Sequence, residues 1–426
     1  MSSGATDPQL KSARSSPPPP HPPLSLPFPH LLQRLRTASR EVLPGVFHEE
    51  QQAAVETYLA ETVPGGKRRY AKAGGYERGM VVNLGRVTFR VQRLMDRTTG
   101  QTFAPFAQVP SLAHRTIAPD VRRAIAEDAA ETSFRRASRS FERHACVRVS
   151  RQSAHNFLQE LAGVVEEEHR ADPPDAVGKT HLMDSTEVRG KRKGKGDDHA
   201  VHVALVQDPT THRCEVVNVA VDTKPRDVLP GPVERLTTDL DPSLAMVPAR
   251  RHQGCHRHLV GDLHFLLWKR VWRKKGDGQK RAAPLDRTRR QGWVKELARA
   301  LAILRASVEK HRKDGRLKRL RWRIQQTLRT MAGLAQTMAR AGYRGAAKFL
   351  GKHARGAVVF AEAALEGEEM PATSNGAERQ MGTVANRCKG WGRWGSGLRP
   401  LVLLLLVMRT RPVVYARASA AYLRRG

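Results

Sequence analysis

No apolar stretch in the sequence is long enough to cross a bilayer. The longest, Leu401 to Met408, has eight residues, against about 20 for a spanning helix, and reads as a buried core helix near the C-terminus. Cysteine is scarce and scattered. Cys146, Cys214, Cys255 and Cys388 make no CxxC pair, which argues against a disulfide scaffold or an all-cysteine zinc site and favours a reducing cytoplasm. The N-terminus lacks the apolar core of a secretory signal, so a cytoplasmic location is expected. Acid is also short: 41 Asp and Glu stand against 74 Lys and Arg, a formal +33. A surplus that large repels itself in the compact state, so a polyanion is the natural partner. Nucleic acid fits that role better than a membrane surface.

A chain of 426 residues accommodates two or three domains with real cores. Residues 1–30 contain Ser15-Ser-Pro-Pro-Pro-Pro-His-Pro-Pro, expected to be a disordered or polyproline-II tail, with an SH3-like ligand as the alternative. Leu31 to Glu61 has a helical pattern broken near Pro44. Val87, Phe89 and Val91 then alternate with polar residues, and Arg97-Thr-Thr-Gly100 is a turn leading to Thr102 and Phe103, a small β-hairpin. From Pro119 to Val165 the pattern is a run of helices, with Pro119 in a first turn and Ser133 and Ser150 as caps. In the last of them Ala154, Phe157, Leu158, Leu161 and Val165 form the apolar face. Arg151, Gln152, Ser153 and Asn156 crowd its N-terminal polar end. In a helix-turn-helix unit such side chains meet base edges; an ordinary helical bundle with a polar first turn fits equally. Residues 31–172 are thus expected to be an N-terminal, DNA-binding region.

Pro173-Pro174 marks a boundary. Beyond it, Lys179 to Asp184 is a short apolar strand ending in an acid, and Val201 to Leu205 and Val216 to Val221 are two more. The three suit an antiparallel meander. Between the first two lies Arg189-Gly-Lys-Arg-Lys-Gly-Lys-Gly196, a basic loop in which Lys191 and Arg192 suit a phosphate backbone. Leu259 to about Ala364 is helical and basic, densest at Arg316-Leu-Lys-Arg-Leu-Arg-Trp-Arg323.

Chemistry on a phosphodiester needs a nucleophilic oxygen and a stabilised leaving oxygen. Two Mg²⁺ ions about 4 Å apart, held by carboxylates from separate segments, supply both. Asp184, in His181-Leu-Met-Asp-Ser-Thr-Glu-Val188, is one candidate, although a strand-end Asp is commonly a turn residue. Glu378, in Thr373-Ser-Asn-Gly-Ala-Glu-Arg-Gln380, is another. If Asn375 caps the helix, Glu378 has the position of a capping-box glutamate. Downstream, Asn386-Arg-Cys-Lys-Gly-Trp-Gly-Arg-Trp394 interleaves Arg387, Lys389 and Arg393 with Trp391 and Trp394, a mixture suited to unpaired or distorted DNA ends.

The order Met-Asp-Ser-Thr, Cys255-His-Arg-His258, Ser-Asn-Gly-Ala-Glu-Arg and Asn-Arg-Cys-Lys-Gly resembles bacterial insertion-sequence transposases of the mutator-like and related DDE type. The likeness covers roughly residues 75 to 410, and the Ser-Asn-x-x-Glu-Arg block is its most specific part. It implies an α/β, RNase H-like core split by a helical insertion: 173–262 as its first part, 263–370 as the insertion and 371–426 as its last part. It also implies Mg²⁺ or Mn²⁺, double-stranded DNA with terminal inverted repeats, a target DNA, and a homodimer or larger assembly near the bacterial nucleoid. Asp184 matches the first acid and Glu378 the last, both as metal ligands, with Arg379 beside them on DNA. Cys255 and His258 match a Cys-x₂-His motif near the second acid. Cys255, His256 and His258 alone make a poor closed zinc site, so a packing and hydrogen-bonding role is expected.

The middle acid is missing from its expected place. Leu244-Ala-Met-Val247 reads as the fourth strand, and no acid follows it before Cys255. The nearest acids are Asp239 and Asp241, on the wrong side of that strand, and Asp262, beyond the motif. Either a segment carrying the middle aspartate has been lost, or Asp241 replaces it after rearrangement. Two functions follow: a transposase, or a non-catalytic DNA-binding relic or repressor. An RNA-associated protein is a weaker third, because no stacking-sheet motif is present.

Overall fold

The computed structural model describes residues 28–83, 85–105, 116–145, 147–190, 198–268, 287–389, 394–395 and 397–425. The Pro-rich stretch lies outside them. The chain divides into two compact units, residues 1–79 with 84–105 and residues 80–83 with 106–426.

In the first unit, α1 (Phe28–Ala60) accompanies a three-stranded sheet in the order β1 (Tyr70–Val82), β2 (Gly85–Asp96), β3 (Thr102–Phe103). Val87, Phe89 and Val91 of β2 are buried and Thr88 and Arg90 exposed, the period-two burial that the alternation predicts. The expected hairpin is β2 with β3, pairing Leu94 with Phe103. The expected break at Pro44 does not occur: α1 runs through it. Proline removes one helical hydrogen bond, and packing on β2 outweighs that loss. Phe47 stacks on Phe89 at 4.5 Å, while Gln51 donates to the Arg90 carbonyl and accepts from the Gln92 amide.

The second unit is built on a mixed five-stranded sheet of β4 (Thr180–Val188), β5 (His199–Gln207), β6 (Cys214–Val221), β7 (Val233–Thr238) and β8 (Ala249–Gly254), in the order β6-β5-β4-β7-β8. The first three strands form the antiparallel meander expected of them, and β7 and β8 run parallel to β4. Ahead of the sheet come α2 (Pro119–Glu131), α3 (Phe134–Ala145) and α4 (Arg151–Ala171). Pro119 begins α2, Ser133 Oγ accepts from the Arg136 amide, and Ser150 Oγ from the Ser153 amide. After the sheet come α5 (His256–Trp268), α6 (Arg287–Asp314), α7 (Leu317–Arg340), α8 (Arg344–His353), α9 (Val359–Leu365), α10 (Asn375–Lys389), α11 (Leu398–Thr410) and α12 (Pro412–Arg425).

One face of the sheet shares a core with α2, α4, α10, α11 and α12, joining Leu158, Leu161, Leu182, Val203, Leu205, Ala377 and Leu404. The compact unit therefore continues across Pro173-Pro174. The apolar stripe of α4 is buried against sheet residues such as Val216 and Val219, which makes α4 a layer of the core. Met183, Ala204 and Leu236, from the strands, form a second cluster with Leu244 and Val247. Helices α5 to α9 interrupt the sheet unit and carry cores of their own, such as Leu263, Leu297, Leu301, Met331 and Leu350. The Leu401–Met408 run is the buried helix α11. Among the described residues, no helix is long and apolar enough to cross a membrane.

Two strand assignments change. Strand β4 continues through Asp184 to Val188, because Thr186 and Val188 keep pairing with Val201 and His199. Leu244–Met246 is a single 3-10 turn. Prolines 242 and 248 bracket it, Asp241 Oδ1 accepts from the Ser243 amide and hydroxyl, and the Asp241 carbonyl accepts from the amides of Leu244 and Ala245. Such local hydrogen bonds compete with a ladder. The strand beside β4 is instead β7, which places Thr237 and Thr238, at most 1% exposed, where an aliphatic pair is usual.

Candidate active site

Four segments converge where the middle of β4 meets the ends of β7 and β8. Strands β4 and β7 are parallel and pair Met183 with Thr238. The next residues, Asp184 and Asp239, therefore lie side by side, on the central strand and directly after its neighbour. Strand β8 ends at Gly254, and the Cys255 amide donates to the Thr238 carbonyl at 2.8 Å. That bond ties the start of α5, and His258 in its first turn, to the end of β7. Glu378 comes from the first turn of α10, which packs on β4. Gly376 makes the close approach possible: a Cβ there would meet Cys214 Sγ and lie 3.0 Å from Leu182 Cδ1.

The capping-box arrangement expected of Glu378 is not formed. The helix begins one residue earlier than a cap at Asn375 requires, and Ser374 supplies the carbonyl that the Glu378 amide reaches. The Glu378 carboxylate is 3.5 Å from Ser374 Oγ, 3.6 Å from Cys255 Sγ and 3.6 Å from His258 Nδ1, all through Oε1. Its other oxygen lies 2.5 Å from Arg257 Nη1. The ligand atoms of Cys255, His258 and Glu378 all lie within 4.8 Å of one another, a group that could hold a metal ion.

The electrostatics mark the same place. Asp184 is 6% exposed, and burial raises its pKa, aided by Glu378, against hydrogen bonds from the Ser185 amide and Asp239. Asp239 is pushed up to about 6 by burial and by the neighbouring carboxylates of Asp184 and Asp241. His258 rises to about 9, chiefly through its hydrogen bond with Cys255 and also through Glu378 and Asp239. Burial alone would raise the Cys255 thiol, but hydrogen bonds from His258 and Ser374 outweigh it and bring it down. Burial and mutual repulsion make ionisation of Asp184 and Asp239 costly. A divalent cation relieves that cost directly.

Asp239, set aside in the sequence as lying on the wrong side of a strand, is the acid that stands beside Asp184. Asp241 does not join Asp184 and Glu378; it is exposed and serves the turn of residues 242–247. The apparent gap before Cys255 arose from assigning the strand to Leu244–Val247. With β7 in its place, an acid does follow the strand, and no lost segment is required. The available signal was Val233-Glu-Arg-Leu-Thr-Thr, a short segment with β-branched Val233, Thr237 and Thr238, closed by Asp239.

The other expected site residues separate into groups. Arg151, Gln152 and Asn156 are exposed along the start of α4, with Gln152 Nε2 donating to Asn156 Oδ1 at 2.8 Å. Arg379 is exposed next to Glu378. Lys191, Arg192, Trp391 and Arg393 lie outside the described residues, as does the Lys389 side chain. Arg387 corrects an expectation. Only 3% exposed, it donates from Nη2 to the Ala129 carbonyl at 2.7 Å and from Nε to the Ala130 carbonyl at 3.0 Å. Its guanidinium also lies over the rings of Trp394 and Phe134. It caps α2 from inside the core and has no face for DNA.

No family model and no curated protein matches the chain.

Proposed function

We propose that the protein is a DNA transposase of the DDE type. In this reading the five-stranded sheet and its flanking helices form an RNase H-like core, and α5 to α9 are its helical insertion. Asp184, Asp239 and Glu378 are the three acids. The observation that carries the reading is their convergence from β4, the end of β7 and the start of α10, beside Cys255 and His258. The formal +33 supports double-stranded DNA as the substrate, namely the element's terminal inverted repeats and a target, with the ends paired by a homodimer or larger assembly.

Asp184 and Asp239 suit a hard divalent cation, Mg²⁺ or Mn²⁺, because they interact directly and their burial leaves negative charge poorly solvated, with Glu378 near enough to act on Asp184 through its charge. When bound, the metal supplies a nucleophilic water or hydroxyl and stabilises the leaving oxygen. The chain's own part is placement. Asp184 and Asp239 each follow the last pair of the β4–β7 ladder, Met183 with Thr238, so the sheet brings them side by side. Glu378 is held by the seating of α10, where Gly376 permits contact with β4. Arg257 and His258 hold the Glu378 carboxylate, one at each oxygen.

The non-catalytic alternative draws on the charge, the helical region and the apparent gap in the acids, and the place of Asp239 beside Asp184 speaks against the last of these. The test uses purified protein, DNA carrying the element's ends, and Mg²⁺. Asp184→Asn, Asp239→Asn and Glu378→Gln should each lower cleavage by roughly 10³-fold or more, in keeping with several kcal/mol of charge stabilisation, while DNA binding persists. Asp241→Asn should cleave normally, since Asn also caps turns. Cleavage that survives Asp239→Asn and disappears in Asp241→Asn would reverse the assignment.

A further inference from the structure

The Cys255–His258–Glu378 group has a chemistry that the three acids do not need. Mg²⁺ takes oxygen ligands in a near-octahedral shell. A thiol and an imidazole beside one carboxylate instead select a softer ion such as Zn²⁺. The spacing agrees. Tetrahedral Zn²⁺ at ordinary bond lengths separates sulfur from carboxylate oxygen by about 3.6 Å and imidazole nitrogen from that oxygen by about 3.4 Å. Here Cys255 Sγ and His258 Nδ1 each lie 3.6 Å from Glu378 Oε1. Three protein ligands with an open fourth position make the group resemble exchangeable rather than closed structural zinc sites.

The position of each ligand adds to this. Cys255 is fully buried at the junction of β8 and α5, and Ser374 donates its amide to Sγ at 3.4 Å. That donor is of the kind that orients a metal-bound thiolate. His258 Nδ1 is buried, and Glu378 Oε1 stands 3.6 Å from it. Arg257 engages only the other carboxylate oxygen, leaving Oε1 available. With Cys255 as thiolate, Glu378 ionised and His258 neutral, the two ligand charges balance Zn²⁺, and binding releases the thiol and imidazolium protons.

We propose that Cys255, His258 and Glu378 form a Zn²⁺ site that shares Glu378 with the acid cluster, so that Zn²⁺ binding withdraws Glu378 from Asp184 and Asp239 and holds the enzyme inactive. The binding stands on these three side chains alone; the inhibition rests on the transposase reading.

Co²⁺ is the probe, added to the metal-free full-length protein. The expected result is a thiolate-to-Co²⁺ charge-transfer band with the d–d absorption of tetrahedral Co²⁺, saturating at one equivalent and abolished by Zn²⁺. Cys255→Ser should remove the charge-transfer band, and Glu378→Gln and His258→Ala should weaken binding by roughly 100-fold or more. An Asp184→Asn, Asp239→Asn double variant should bind Co²⁺ as the wild type does. Circular dichroism identifies any variant that has unfolded, and the three ligand variants are independent, so one that folds suffices. An octahedral, weakly coloured Co²⁺ spectrum, or a band that persists in folded Cys255→Ser, overturns the proposal. With Mg²⁺ in excess, Zn²⁺ should suppress end cleavage with a midpoint at its own dissociation constant. Tight Zn²⁺ binding with cleavage undiminished overturns the inhibition. Absence of cleavage under every condition, with the Co²⁺ signature intact, counts against the transposase reading and leaves the site standing.

Discussion

Arg387 sits between α10 and the end of α2, and Arg387→Met isolates what a buried guanidinium contributes there. The last four carbonyls of a helix have no partner within it. In α2, Asp128 O is met by the Thr132 amide and hydroxyl, and the next two carbonyls by Arg387. Hydrogen bonds to a charged group contribute about 1.5–3 kcal/mol each, so losing two removes roughly 3–6 kcal/mol. The two ring faces, at 4.9 and 5.5 Å, add about 1 kcal/mol. Against this stands the burial of the charge, which pulls the guanidinium from its ordinary 12.5 to about 10. That shift corresponds to about 3 kcal/mol, a penalty that methionine does not carry. The net expectation is a loss of about 1–4 kcal/mol, read as a lower urea midpoint with an unchanged m-value. DNA affinity of the folded variant should stay at the wild-type value. A stability loss below about 0.5 kcal/mol, the level of an ordinary surface change, would refute the capping role. So would weaker DNA binding at unchanged stability.

Gly376→Ala should destabilise by about 1–3 kcal/mol through overpacking against Cys214 and Leu182, and should lower cleavage by shifting Glu378; urea unfolding and the end-cleavage assay read the two effects. His169, His181, His202, His252 and His256 all have burial as the main cause of a lowered pKa. The unfolded chain protonates these groups first, so their stability contribution is present above about pH 6.5 and is lost as pH falls below it. His256, lowered to about 4, accounts for about 3 kcal/mol of that if fully titrated, and urea midpoints from pH 7.5 to 4.5 should show the decline. His169→Gln, which can retain a bond to the Val217 carbonyl, should have a shallower dependence. Leu301→Ala, in the fully buried centre of the insertion, should cost about 2–5 kcal/mol, measured by the same unfolding. DNA affinity should fall by about 10³-fold or more between 50 and 200 mM salt if six or more phosphates are contacted; a flat salt dependence in a binding titration would contradict the charge argument.

Local pattern determined a large part of this protein. Period-two burial is legible in β2, and the meander in β4 to β6. The caps at Ser133 and Ser150 and the apolar stripes of α4 and α11 follow from short-range chemistry, which needs no knowledge of distant contacts. Asp184, Cys255, His258 and Glu378 were all legible as candidates from their local motifs. Charge by itself pointed to a polyanion, because self-repulsion depends on composition and not on fold.

Tertiary structure decided the rest. Strand β7 is poor in apolar residues because Thr237 and Thr238 are buried by neighbours far along the chain; Thr237 Oγ1, for example, donates to the Pro371 carbonyl. Its pairing with β4 carried Asp239 into the place assigned to a lost residue, while Asp241 went to a turn. Arg387 looks, in sequence, like the other cations of its basic run. Burial against α2 makes it a cap, since desolvation leaves it no use for solvent or phosphate. Cys255 and His258 made an incomplete ligand pair until the fold brought Glu378, 120 residues beyond His258, within 3.6 Å of both. Ligand sets of this kind depend on through-space distance, which spacing along a chain does not encode.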